Sequence, residues 1–241
     1  MRPASATLRA VPLLCVCLAG CSGLFQSKAK PEQTYYLRAP PPRTAGTAPA
    51  AGASAAAAAT PAMPASLRVI RPAAGPGLDT SHIMLVQADR RMNFFSGSRW
   101  PAPAPQVIEA LAVETLRGSR AWTSVQGSAS PFPADYLLQI HLQRFEADYG
   151  EGAGAPVVHA VLDCIIGRRE GREVLATFTV SGSTAAAANR LGEVVIAFEQ
   201  ATGTALESLS QQTEQTVRAY RPPGAQSGAQ NADKPLASIS R

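Results

Sequence analysis

Apolar and polar positions alternate most cleanly between Tyr136 and Val180. Tyr136, Leu138, Ile140 and Leu142 interleave with Leu137, Gln139, His141 and Gln143. Val158, Ala160, Leu162, Cys164 and Ile166 interleave with His159, Asp163 and Gly167, and Val174, Ala176, Phe178 and Val180 repeat the period. A period of two is that of a strand with one buried face. The glycine-rich stretch Gly150–Ala155 and the turn Arg168–Arg172 separate the runs, which predicts a three-strand antiparallel meander. Elsewhere the period lengthens. Val107, Ile108, Leu111, Thr115 and Leu116 form a helical stripe led by Pro101, Pro103 and Pro105 and closed by Gly118. Leu191, Val194, Val195, Phe198, Ala201, Ala205 and Leu209 mark a long helix from about Ala188 to about Tyr220. Shorter runs at Leu67–Arg71, His82–Gln87, Arg91–Phe95 and Ala121–Gln126 predict further strands, with Pro72–Thr80 a turn and Gly97–Pro101 a loop. The expected architecture is α+β, an antiparallel sheet with a three-strand meander, covered on one face by two amphipathic helices.

The N-terminus follows a different pattern. Arg2 and Arg9 precede an uncharged apolar run, Ala10–Leu18, and then Leu18-Ala19-Gly20-Cys21. This is the layout of a secretory signal peptide, residues 1–20, and the last four residues resemble a bacterial lipobox in which Cys21 is acylated and becomes the first mature residue. The alternative is an ordinary signal peptide that contains a cysteine. The apolar run is far shorter than the ~20 residues a spanning helix needs, so the expectation is an exported, lipid-anchored chain. Residues 21–32 are expected to form a tether. Gln33–Arg38 is rich in strand-favouring residues and is expected to dock as the first strand of a domain covering 33–220, against the alternative of an aromatic patch in a linker. Ala39–Ala65, nearly all Ala, Pro, Gly, Ser and Thr, is expected to be a disordered insertion, and residues 221–241 a disordered tail.

The formal net charge of +5 falls to +3 without the leader, 20 basic against 17 acidic residues, and no Lys/Arg run argues for nucleic acid. Cys15 and Cys17 lie in the leader, so acylation of Cys21 leaves Cys164 as the one free thiol and no intramolecular disulfide. No nucleophile elbow, phosphate-binding glycine loop, His-Glu-x-x-His or Cys-x-x-Cys pair is present. The histidines are His82, His141 and His159; a metal site with His141 facing His159 across the first hairpin competes with a reading as polar strand residues. Glu146, Asp148 and Glu151 are expected to be solvated acids at a hairpin loop. The expectation is therefore no enzyme, no cofactor and no metal. The stretch Asn93–Trp100 offers a contact surface, because Trp and Arg are enriched at binding hot spots. Phe94, Phe95, Arg99 and Trp100 are its candidates, against the alternative that Phe95 and Trp100 pack under the following helix.

The lipobox, then Thr34-Tyr35-Tyr36-Leu37, Gly77-Leu78-Asp79-Thr80 before an apolar strand, Arg99-Trp100 opening a helix, Tyr136-Leu137-Leu138 and a long C-terminal helix together resemble the ABC-type transport auxiliary lipoproteins that accompany MCE-domain lipid-transport systems. The resemblance covers about Gln33 to Tyr220. It implies a non-enzymatic periplasmic lipoprotein that assists movement of lipid or another hydrophobic compound between membranes, with an MCE-domain protein or ABC transporter components as partners. Ser22 after the acylated cysteine is of the type that permits sorting to the outer membrane. Competing classes are a lipid-binding carrier with a pocket between helix and sheet, and an envelope lipoprotein that activates a cell-wall enzyme. A homo-oligomer stays open.

Overall fold

The computed structural model describes residues 32–42, 62–152 and 154–221. The expected leader with Cys21, the tether up to Pro31, most of the Ala/Pro-rich stretch and the tail after Arg221 lie outside the described residues. In chain order the elements are β1 (Gln33–Thr34), β2 (Met63–Val69), β3 (Ala73–Ala74), β4 (His82–Val86), β5 (Met92–Arg99), α1 (Ala104–Gly118), β6 (Trp122–Gln126), β7 (Tyr136–Asp148), β8 (Val157–Arg168), a 3-10 turn (Glu170–Arg172), β9 (Val174–Ala185) and α2 (Leu191–Ala219).

The nine strands of the described residues form one mixed sheet, which corrects the expectation of an antiparallel one. Strands β7, β8 and β9 pair antiparallel in succession. The other edge of β7 is shared by three strands that all run parallel to it: β2 beside its start, β3 beside its middle and β4 beside its end. Beyond them β6 pairs parallel to β2, and β5 pairs antiparallel to β4 with β1 parallel on its far side. So β7 is a spine: one flank carries a long hairpin strand, the other a row of short strands.

The spine bends where its pattern breaks. Leu138, Ile140 and Leu142 are buried, but after a bulge at Gln143 the buried set becomes Phe145, Glu146 and Ala147. An extra residue shifts the phase of alternation and increases local twist. Buried positions on β8 (Val158, Ala160, Leu162, Cys164, Ile166) share one core with both helices. Helix α1 starts at Ala104 behind Pro103, with Pro105 in its first turn, and buries Val107, Ile108, Leu111, Ala112 and Leu116. Helix α2 places Glu193 in its first turn and Arg218 in its last, each complementing the helix dipole. It lies very close to β9: a Cβ built on Gly182 would overlap the Ala201 carbonyl oxygen. Glycine is required there by the approach of two backbones.

Three local expectations change. Residues 97–99 belong to β5 rather than to a loop. The strand expected at Gln33–Arg38 is regular only at Gln33–Thr34; the chain then leaves the sheet, buries Leu37, and donates the Arg38 amide to Glu199 Oε2 at 3.0 Å. At the margins of the expected insertion, Pro42 packs over Gly118 and Met63–Ala65 opens β2.

Candidate interaction surface

Strand β5 of the β4–β5 ribbon is exposed at most of its positions. Its turn is closed by Arg90 N–H donating to the Gln87 carbonyl (2.8 Å) and Gln87 N–H to the Arg91 carbonyl (3.0 Å), with Arg90 at φ 66°. Asp89 accepts from the Arg91 amide, so the turn is stapled by its own side chain. Pairing then runs Val86 to Met92, Leu85 to Asn93 and Met84 to Phe94 before it slips, and His82 lies opposite Arg99. The surplus residues of β5 form an irregularity around Gly97, whose φ of 67° suits glycine.

The four expected contact residues separate along this strand. Phe94 is 48% exposed and stands edge-on to the His82 ring at 4.5 Å. Phe95 is half-buried against the core, and Arg99 is exposed between Thr34 of β1 and His82 of β4. Trp100 is fully buried, 5.2 Å from Phe198 and 5.8 Å from Phe145 between ring centres. It is a core residue, because a partner reaching it would have to open the fold. The surface that remains gains Met92, 50% exposed, which alternation did not single out; a separate exposed ring is Tyr36 beyond β1, 64% exposed with the Arg38 guanidinium 6.0 Å from its ring centre.

The candidate chemistry elsewhere resolves into structure. His141 lies opposite Asp163 and His159 opposite Glu146, so the two histidines do not face each other. Among the described residues no group of three or more His, Cys, Asp or Glu side chains could hold a metal ion. Glu146 is buried rather than solvated; it accepts from Arg144 Nε (2.6 Å) and from the Phe145 amide (2.7 Å) beside the bulge. Asp163 bridges β7 and β9 by accepting from Gln143 and Thr179, and these donors hold its carboxyl below the usual range. Burial, with a smaller contribution from Asp163, pushes the Cys164 thiol up to about 12, which leaves it inert as a nucleophile.

Between α2 and the sheet the interior is closed by Trp100, Phe145 and Phe198, the last two 5.0 Å apart. Open grooves lie on the surface. One of about 700 Å³ runs along α1 and is lined by Arg71, Glu109, Val113, Glu114 and Arg117 among others; one of about 570 Å³ lies at the β4–β5 turn between Leu85, Asp89, Arg91, Tyr149 and Asn189; another of about 410 Å³ lies between Ala65, Asp135, Tyr136 and Arg168–Glu170. No described helix is long and apolar enough to cross a membrane.

A family model described as ABC-type transport auxiliary lipoprotein component matches residues 47–212. Among solved structures the chain is similar to protein XCC0632 from Xanthomonas campestris, at 21% identity over 84% of this chain and 97% of that one, with a TM-score of 0.61. It is also similar to an uncharacterized protein at 15% identity, over 63% of this chain and 94% of that one, with a TM-score of 0.53. Lipoprotein GNA1162 from Neisseria meningitidis matches more loosely, at 12% identity over 65% of this chain and all (100%) of that one, with a TM-score of 0.34. No curated protein sequence matches the chain.

Proposed function

This chain belongs to the family of ABC-type transport auxiliary lipoprotein components, and from that premise we propose that it serves an MCE-associated system moving lipid or another hydrophobic compound between membranes. In this reading Cys21 carries the acyl chains that hold the protein at the periplasmic face of the outer membrane, and Ser22 supports that address. Each buried methylene contributes ~0.8 kcal/mol, so several chains anchor it durably. The α+β domain acts without chemistry of its own, by contact with transport components.

The observation that carries the adaptor over the carrier is the closed interior. A lipid held between α2 and the sheet would have to displace Trp100, Phe145 and Phe198 and lift α2 from Gly182, where backbone already meets backbone. Two measurements test the reading together. Cys21→Ala is expected to leave a soluble periplasmic protein, and retention in the membrane fraction would remove the anchor from the account. The acylated protein is expected to retrieve an MCE-domain or transporter component and to yield no bound lipid on organic extraction; a reproducible co-purified lipid would favour the carrier.

A further inference from the structure

The β4–β5 ribbon has an orientation relative to the point where the chain enters the domain. Strand β1 runs parallel to β5, with Gln33 opposite Ser98 and Thr34 opposite Arg99, so Gln33 is the residue of β1 nearer the Ala88–Arg90 turn. Cys21 precedes Gln33 by twelve residues. Fully extended, that length of chain reaches about 40 Å at ~3.3 Å per residue. Whatever surface surrounds Gln33 therefore stays within that distance of the anchoring lipid.

The surface there has the chemistry of a membrane interface. Eight large apolar side chains are exposed in the described domain; Met92 and Phe94 lie on β5 on the turn side of Gln33, and Tyr36 follows β1 on its other side. Arg90 sits at the adjacent turn beside Arg91, whose Nε pairs with the Asp89 carboxylate at 2.5 Å, and Arg38 lies by the Tyr36 ring beyond β1. Aromatic side chains with one polar end settle at headgroup depth, guanidinium groups bind phosphate, and clustered cations are drawn to anionic lipid. The outer edge of β5 ahead of Ser98 has no strand beside it among the described residues, and Met92–Phe94 are exposed there.

We propose that the β4–β5 ribbon seats on the anionic phospholipid surface to which the protein is anchored, with Met92 and Phe94 among the headgroups and Arg90 on a lipid phosphate. The inference rests on anchoring through Cys21 and adds what the anchored domain touches. Short reach and the pairing of arginine with exposed apolar side chains favour lipid over a protein as the occupant. Seated this way, the domain keeps the opposite end of β7, with exposed Phe132 and Val174, clear for transport components.

The test uses the acylated full chain in vesicles of phosphatidylethanolamine and phosphatidylglycerol. A nitroxide is placed at Phe94→Cys and, as control, at Ser181→Cys on the exposed side of β9; Cys21 is blocked by lipid, and Cys164 is buried with its thiol held protonated. Relative accessibility to oxygen and to a water-soluble nickel complex gives depth. The expected result is a Phe94 label at headgroup depth and a Ser181 label in water, with the Phe94 label moving outward in vesicles of phosphatidylcholine alone. A water-exposed Phe94 label on a protein that remains attached overturns the seating and leaves the anchor intact. A protein that fails to attach overturns the anchor itself. A Phe94 label shielded only after a transport component is added assigns the ribbon to a protein and also overturns the proposal.

Discussion

The two flanks of the β7 spine are built by different means. On one side, β8 and β9 are long, alternate cleanly, and lie under α2, which approaches until the Ala201 backbone leaves room only for a glycine at position 182. On the other, β4, β5 and β1 form a ribbon held by few pairs, broken by a bulge, with large apolar groups facing outward. The first flank gains its stability from close packing, where each methyl group is felt. The second contributes little burial and so is free to vary its side chains for contact. The difference separates the part of the domain that keeps the fold from the part that meets other molecules.

The sharpest way to break that contrast is Gly182→Ala. The added methyl would overlap the Ala201 carbonyl oxygen, and neither backbone can move alone, so we expect a loss of about 3 kcal/mol, at the upper end for overpacking. Denaturant unfolding followed by circular dichroism reads this; an unchanged midpoint would show that α2 does not rest on β9 as described. An intermediate effect is expected where β2 meets the start of β7. Asp135 accepts from the Ser66 hydroxyl and from the Ser66 amide, each at 2.7 Å, and these donors lower its pKa. A carboxylate depressed in the folded state contributes stability above its unfolded pKa of about 3.9, and that contribution is lost as pH falls through the folded value. Asp135→Asn should therefore be less stable than the parent at neutral pH, and the gap should narrow under acid, below pH about 3.9. A gap that stays constant with pH would contradict the charge-dependent contribution of Asp135. The smallest effect belongs to the ribbon: Phe94→Ala should lower stability by about 1 kcal/mol or less, because the residue is 48% exposed and its ring contact is with His82 at the surface. A large loss there would mean that the ribbon, too, is part of the core.

What could be read in the residues tracks the same division. The three long strands and both helices show their periods because each has one buried and one open face, and their positions agree with the structure to within a few residues at most ends. The mixed sheet does not show, since parallel neighbours such as Leu67 and Tyr136, or Leu85 and Ala147, are far apart in the chain and leave no local trace. The bulge at Gln143 hides the second half of β7, because Phe145 and Ala147 are out of phase with Leu138, Ile140 and Leu142. Trp100 illustrates the limit for sites. An arginine–tryptophan pair before a helix reads equally as a hot spot or as a core anchor, and only the facing Phe145 and Phe198, 45 and 98 residues later, decide for the core. The exposure of Met92 left no signal, since exposure on an irregular ribbon has no period.

Pro42 rests on Gly118 at the end of α1, and the Met63 amide donates to the carbonyl of Ala121 at 2.8 Å, three residues further on. The two ends of the intervening stretch are thus fixed side by side on the same helix terminus. Closing a loop between fixed neighbours becomes harder only slowly with length, by about 0.6 kcal/mol for each doubling. Changing the length of residues 43–61 is therefore expected to cost the folded domain little. The junction is a socket at which evolutionary novelty, or an engineered reporter, can be exchanged.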